Sequence, residues 1–127
     1  MLIYFLRKLK NNFLNFRHYK NLKLTDDSVT MIIALKDRSN CTRRILKHLE
    51  KINFVYPILF ADGGKDKRIE KLLSRKKIGK NLNYKYFRYP YDKDFTTYYQ
   101  KMVSILDEVN TEFCFLMDND DLLYPNG

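Results

Sequence analysis

Residues 112–121 read EFCFLMDNDD, an apolar run that leads directly into Asp118, Asp120 and Asp121. A continuous apolar run without Gly or Pro is consistent with a β-strand that is buried on both faces. Three carboxylates within four residues repel one another, so folding them together costs energy unless a cation neutralises them. Because Mg²⁺ and Mn²⁺ prefer oxygen ligands, the stretch predicts a divalent-metal site at the end of a buried strand.

The composition indicates one globular domain. The chain has 127 residues, of which 45% are hydrophobic and 15% aromatic, enough for a modest core. The formal net charge of +9 suits a partner such as nucleic acid, anionic lipid or a phosphorylated small molecule. The two cysteines, Cys41 and Cys114, form no CxxC pair, so the sequence predicts neither a zinc site nor a disulfide.

Apolar, β-rich runs alternate with helical patterns along residues 28–127. Strands are predicted at residues 29–35, 55–61, 83–89 and 112–117. The second run contains Pro57, which lacks an amide donor and must therefore stand at an unpaired or peripheral position. Helices are predicted from Ser39 or Asn40, around residues 69–73 and from Asp94 to Val109. Because helices that connect strands favour parallel pairing, this order predicts an α/β fold, a Rossmann-like, mostly parallel sheet with flanking helices.

The last predicted helix has a broad apolar face. Its members are Phe95, Tyr98, Tyr99, Met102, Ile105, Leu106 and Val109. The aromatic residues between positions 84 and 99 thus follow strand and helix spacing, which favours a core over a surface that stacks on bases. No nucleic-acid partner is expected from them.

Residues 1–27 form a separate basic segment ahead of the α/β pattern. Within residues 1–24, apolar side chains recur near helical spacing, and no acid occurs before Asp26. Two interpretations stay open: an amphipathic helix on an anionic membrane surface, or a helix packed on the domain or on a partner chain. The apolar start is too short to span a bilayer and precedes its basic residues, the reverse of a secretory signal. We therefore expect a cytoplasmic protein, peripheral at the inner face of the membrane under the first interpretation.

Polar residues follow three of the predicted strands. Lys36-Asp37-Arg38 comes after the first strand, Asp62-Gly63-Gly64 after the second and Asp118-Asn119-Asp120-Asp121 after the fourth. In an open parallel sheet, ligands bind beyond the carboxyl ends of the strands, at the point where the strand order reverses. These loops are therefore expected to face one crevice. Neither a GxGxxG motif nor a P-loop is present in the sequence.

Residues 28–127 resemble the N-terminal, nucleotide-sugar-binding half of a family 2-like glycosyltransferase of the GT-A fold. Such enzymes open with an apolar strand, here residues 29–35, and end the second strand in an acid followed by small residues, here 62–66. Their fourth strand ends in a DxD motif, here Asp118-Asn119-Asp120, followed by a hydrophobic stretch and a proline, here residues 122–125. One departure is the loop at residues 35–38, LKDR, where the family usually shows a Pro-Thr/Ala-Tyr-Asn type of loop.

The resemblance implies a nucleoside-diphosphate sugar as donor, in the first instance a UDP-sugar, bound with Mn²⁺ or Mg²⁺. The acceptor would be a saccharide or a lipid-linked molecule. The implied nucleotide-sugar contacts are Leu35, Lys36, Asp37, Arg38, Asp62, Gly63, Asp118 and Asn119. The implied metal ligands are Asp118, Asp120 and Asp121. Asp62 would contact the base or the ribose.

The family places its acceptor half and its catalytic base after the DxD motif, whereas this sequence ends at Gly127. The sequence therefore predicts a donor half, apparently truncated after the fourth strand, and assigns no catalytic residue. Two alternatives stay open beside a glycosyltransferase. One is a catalytically inactive sugar-nucleotide-binding fragment, and the other is a basic α/β module that binds nucleic acid or a membrane surface.

Overall fold

A computed structural model describes residues 28–122 and, as backbone only, Leu6 and Arg7. Five strands and three helices follow one another along these residues. The strands are β1 (Leu6–Arg7), β2 (Val29–Leu35), β3 (Ile58–Asp62), β4 (Tyr84–Arg88) and β5 (Phe113–Asp118). The helices are α1 (Ser39–Lys51), α2 (Lys67–Ser74) and α3 (Phe95–Leu106).

The strands form one sheet in the order β1-β5-β2-β3-β4. Strands β2 to β5 are all parallel, and β1 pairs antiparallel with β5. The chain runs outward from β2 to β4 and then crosses back to place β5 on the other side of β2. The strand order therefore reverses between β2 and β5. These features confirm the predicted α/β fold with a mostly parallel, Rossmann-like sheet.

Helices cover both faces of the sheet because the strands are apolar on both sides. Side chains of β2 alternate between the faces: Met31 and Ile33 belong to the cluster with α1 and α2, and Ile32 to the cluster with α3. Every residue of β2 is buried. A strand buried on both faces reads as a continuous apolar run, as predicted for residues 29–35.

Several predicted boundaries differ from the structure. Strand β3 begins at Ile58 rather than at Val55, which is 53% exposed. Pro57 stands just before the strand, because it has no amide to donate, and its carbonyl accepts a hydrogen bond from the Met31 amide at 2.9 Å. Helix α1 begins at Ser39, but its N-cap is Arg38, and no side chain caps it.

The apolar face predicted for residues 94–109 is also only partly buried. Helix α3 ends at Leu106, while Phe95 and Tyr99 are 80% and 63% exposed. Lys101 is buried in their place. The prediction is therefore wrong for Phe95 and Tyr99. Lys101 can be buried because its charge is paired with Asp92, as described below.

The N-terminal prediction is tested at two residues only. Leu6 and Arg7 pair with Cys114 and Phe113 as strand β1, so the helix predicted for residues 1–24 is wrong at these positions, where pairing with the sheet edge takes precedence over local periodicity. The rest of the basic segment 1–27, and residues 123–127, lie outside the described residues. None of the helices within residues 28–122 is long and apolar enough to cross a membrane.

Candidate functional site

A cleft opens at the carboxyl edge of the sheet, beside the paired ends of β2 and β5. It has a volume of about 910 Å³. Its lining comprises Ala34, Leu35, Lys36, Asp37, Arg38, Asp92, Asp94, Phe95, Tyr98, Lys101, Asp118, Asn119 and Asp120. Seven of the ten predicted site residues therefore line one cleft at the reversal of strand order. Asp62, Gly63 and Asp121 do not belong to the lining.

The loop after β2 is held by hydrogen bonds to two other loops. Asp37 and Arg38 have φ angles of 57° and 56°, in the left-handed region that non-glycine residues rarely adopt. Asp37 Oδ1 accepts from the amides of Lys65 and Asp66 at 2.7 and 2.8 Å. The Asp37 carbonyl oxygen accepts from Asn119 Nδ2 at 3.3 Å. These bonds hold the loop after β2 against the loop after β3 and against the segment after β5.

The acidic segment after β5 forms a turn. The amide of Asp121 donates to the carbonyl oxygen of Asp118 at 3.2 Å. Asp120 Oδ2 accepts from Arg38 Nη1 at 2.7 Å in an ion pair that is largely exposed. Burial, and then the charges of Asp121 and Asp120, raise the pKa of Asp118, while Lys101 and Arg38 oppose the rise.

The donor atoms of this turn fit a divalent cation in chemical type. Burial, and then the charges of Asp121 and Asp120, disfavour the charged form of Asp118, and a bound Mg²⁺ or Mn²⁺ would favour that form. Within residues 28–122, however, no three His, Cys, Asp or Glu side chains are already arranged as a metal site. The ligand set Asp118, Asp120 and Asp121 therefore stays a prediction, and Arg38 competes with a metal for Asp120.

Asp62, the last residue of β3, is fully buried. Its Oδ1 accepts from the Gly64 amide at 2.8 Å. Its Oδ2 accepts from the Tyr86 hydroxyl at 2.6 Å and from Arg88 Nη1 at 3.1 Å. Burial and the bond to Asp62 raise the pKa of Tyr86. Both carboxylate oxygens of Asp62 thus have donors inside the protein, and its contact with a nucleotide stays a prediction.

The sequence did not single out Asp92 and Lys101, which form a buried ion pair at the cleft. Lys101 Nζ donates to Asp92 Oδ2 and, at 3.2 Å, to the carbonyl oxygen of Leu35 at the end of β2. Lys36 Nζ donates to the carbonyl oxygen of Asp92. One signal was available: Lys101 lies three residues after Tyr98 and four before Ile105, inside an apolar stripe of the helix. No comparable pattern marks Asp92.

Gly63 makes room for this pair. A Cβ atom at position 63 would lie 2.4 Å from Cγ of Asp92, closer than real Cβ contacts allow. The Gly63 carbonyl oxygen also accepts from the Asp92 amide at 2.9 Å. The glycine after β3 therefore serves the packing of Asp92. Its predicted contact with a nucleotide is a separate matter and stays a prediction.

Two aromatic side chains of α3 line the cleft, whereas Tyr91 and Lys65 do not. Phe95 lines it and is 80% exposed, and Tyr98 lies deeper on the same helix. The ammonium groups of Lys36 and Lys65 lie 5.0 and 4.2 Å from the ring centre of Tyr91.

No known protein-family model matches the chain, and no curated protein resembles it significantly. The family resemblance therefore stays a prediction drawn from the residues.

Proposed function

We propose that the chain binds a nucleoside-diphosphate sugar together with Mg²⁺ or Mn²⁺, as the donor site of a GT-A glycosyltransferase. One observation carries the proposal: the loop after β2 and the acidic turn after β5 line a single cleft where the strand order reverses. In open α/β sheets this is the position at which nucleotides bind. The DxD spacing of Asp118 and Asp120 supports a donor that carries a diphosphate.

The basic residues at the end of β2 are suited to the diphosphate. Lys36 supplies a compact ammonium and Arg38 a planar guanidinium whose fork matches phosphate oxygens. Arg38 Nη1 now donates to Asp120 at 2.7 Å, and both side chains are about half exposed or more. Because exposed ion pairs contribute little stability, Arg38 can exchange the carboxylate for a phosphate at small cost.

The acids of the β5 turn would hold the cation through the oxygens of Asp118, Asp120 and Asp121. When bound, the cation would supply a Lewis acid that neutralises the charge developing on the leaving nucleoside diphosphate. Asn119 is buried, and its amide donates to the Asp37 carbonyl oxygen, which connects the turn to the loop after β2; its predicted contact with the nucleotide sugar stays a prediction. We assign no base for the acceptor hydroxyl to any residue between Ser28 and Leu122.

Calorimetric titration tests the proposal. UDP, GDP, dTDP and ADP are added in turn to the full chain, with Mn²⁺, with Mg²⁺ and with EDTA. We expect one of them to bind with metal and to lose most of its affinity in EDTA. Equal binding in EDTA, or no binding of any of the four, would contradict the proposal.

A matched pair of variants locates the effect. Asp118→Asn should lose the metal-dependent part of the affinity, because it removes one anionic ligand. Glu112→Gln neutralises an exposed acid just before the opposite end of the same strand and should bind as the unchanged chain does. Circular dichroism establishes that both variants are folded. Equal losses in the two variants would argue against a site at the β5 turn.

A further inference from the structure

The acids at the carboxyl edge of the sheet differ in whether their oxygens already have donors. Asp62 receives three donors from inside the protein. Asp37 Oδ1 receives two backbone amides, and Asp120 receives Arg38. Asp92 is different: its Oδ2 is paired with Lys101, whereas its Oδ1 is buried and has no hydrogen-bond partner within the described residues.

A buried carboxylate oxygen without a donor is costly, so native structures rarely keep one. Asp92 is 3% exposed, and its Oδ2 accepts from Lys101 in a buried ion pair. The acid lines the cleft, and on its other side it lies against the backbone of Gly63. A donor for Oδ1 is therefore expected to come from the contents of the cleft.

Three separate elements hold Asp92 in place. Its amide donates to the Gly63 carbonyl oxygen after β3, at 2.9 Å. Its carbonyl oxygen accepts from Lys36 after β2. Its carboxylate accepts from Lys101, which is anchored on the Leu35 carbonyl oxygen at 3.2 Å. An acceptor whose main chain is held in this way loses little conformational freedom when a ligand binds, which is what a specific contact requires.

We propose that Asp92, positioned by Lys101, accepts a hydrogen bond from the nucleoside part of the bound nucleotide. The inference rests on the function proposed above and transfers to Asp92 the nucleoside contact that the family resemblance gave to Asp62. A carboxylate repels phosphate and needs an O–H or N–H donor, which the nucleoside offers in its ribose hydroxyls and in its base. Gly63 and Lys36 hold the main chain of Asp92, so the only motion that contact with the ligand requires is a turn of the carboxyl group about its Cβ–Cγ bond, a soft torsion in aspartate.

The location of Asp92 agrees with a ligand whose diphosphate lies at the β5 turn and whose nucleoside lies at Asp92. The acids proposed to hold the metal and diphosphate follow β5, on one side of β2. Asp92 is bonded to Gly63, which follows β3 on the other side of β2. A nucleotide whose diphosphate lies at the β5 turn can thus extend its nucleoside across the end of β2 toward Asp92.

The test pairs the removal of ligand donors with the removal of the acid. The full chain and Asp92→Ala/Lys101→Met are each titrated, in the presence of Mn²⁺, with UDP, 2′-deoxy-UDP, 3′-deoxy-UDP and N3-methyl-UDP. If another nucleoside diphosphate binds instead of UDP, its own deoxy and N-methyl analogues are used. The double variant removes both charges, because a single change would leave a buried charge unpaired. A control variant, Asp94→Asn, neutralises a second acid of the same cleft while keeping a good helix cap.

We expect one analogue to bind the unchanged chain about tenfold to a hundredfold more weakly than UDP, the usual effect of losing a hydrogen bond to a charged group. The deoxy analogues identify a ribose hydroxyl, and the N-methyl analogue identifies the base. In Asp92→Ala/Lys101→Met the difference should disappear, and in Asp94→Asn it should persist.

Two results would overturn the assignment. Discrimination that survives in the double variant excludes Asp92 as the acceptor. If no analogue binds the unchanged chain more weakly than UDP, the assignment fails whether or not the double variant folds. A chain that binds no nucleoside diphosphate at all gives a different result, because it refutes the proposed function itself.

Discussion

Replacing Gly63 by alanine tests how firmly the buried ion pair is held. The new Cβ would lie 2.4 Å from Cγ and Oδ1 of Asp92 and 2.5 Å from Oδ2. Non-bonded carbon atoms prefer separations of about 3.5–4.0 Å, so the carboxyl group must move by roughly 1 Å or more. Asp92 and Lys101 are both buried, so the acid cannot move without disturbing its partner.

The size of the effect follows from these contacts. Overpacking a core costs about 1–3 kcal/mol. Breaking a buried ion pair costs about 3–5 kcal/mol, and a displaced pair should lose only part of that. We therefore expect Gly63→Ala to lower the free energy of unfolding by about 2–4 kcal/mol, which corresponds to a fall in Tm of roughly 10 °C.

A double-mutant cycle identifies the cause. In the Asp92→Ala/Lys101→Met background the carboxyl group is gone, so Gly63→Ala should cost less than about 1 kcal/mol. Gly64→Ala is the matched control, because its Cβ would lie 2.5 Å from the backbone nitrogen of Asp37 and its cost should be similar in both backgrounds. The measurement is urea unfolding followed by circular dichroism. Equal costs of Gly63→Ala in the two backgrounds would refute the reasoning.

Three further predictions concern charge. Burial and neighbouring acids raise the pKa of Asp118, so the folded protein favours the protonated acid. The stability that this gives is fully present below about pH 4 and is lost as the pH rises through the raised pKa. Asp118→Asn should therefore increase Tm at pH 7 but not at pH 3, and an equal increase at both pH values would contradict this. Burial and the bond to Asp62 raise the pKa of Tyr86 in the folded protein above its value in the unfolded chain. Above about pH 10 the phenol ionises in the unfolded chain while it is still protonated in the folded one, so the free energy of unfolding should fall. Urea unfolding between pH 8 and 11 should show a shallower fall in Tyr86→Phe, and identical slopes would exclude the effect. Arg38→Met should change the free energy of unfolding by less than about 1 kcal/mol, because its pair with Asp120 is exposed, yet weaken nucleotide binding in calorimetry; unchanged affinity would remove Arg38 from the site.

The sheet could be predicted from the sequence because its strands carry a local signal. Residues 29–35, apart from Thr30, and residues 113–117 are apolar, and both runs form interior strands of the sheet. The polar residues that follow them were expected at one edge, and most of them line one cleft. The strand ends of β2 and β5 meet because these strands pair directly, with Ala34 opposite Asp118.

The partners of individual acids could not be predicted, because they depend on register and on contacts between distant elements. Asp62 was expected to face a ligand. That contact stays a prediction, but the register of β3 and β4 sets Asp62 opposite Arg88 and places Tyr86 two residues earlier on the same strand. The side chains of both reach the carboxylate. A sequence pattern specifies that β4 mixes aromatic and basic residues, but it does not specify which acid they meet.

The net charge of the chain and the charge of the cleft lead to opposite expectations. The whole chain carries a formal net charge of +9, which by itself predicts that a diphosphate would bind without a metal ion. The cleft lining, however, contains five carboxylates and three cationic side chains, a formal charge of −2. Since charges within a few ångströms outweigh distant surface lysines that salt screens, the local balance decides the affinity for an anion. A nucleoside diphosphate would therefore need a cation that cancels this negative charge, and a divalent ion at the β5 turn would bring the formal charge of the lining to zero. Metal dependence is thus expected from the cleft itself, in spite of the basic chain around it.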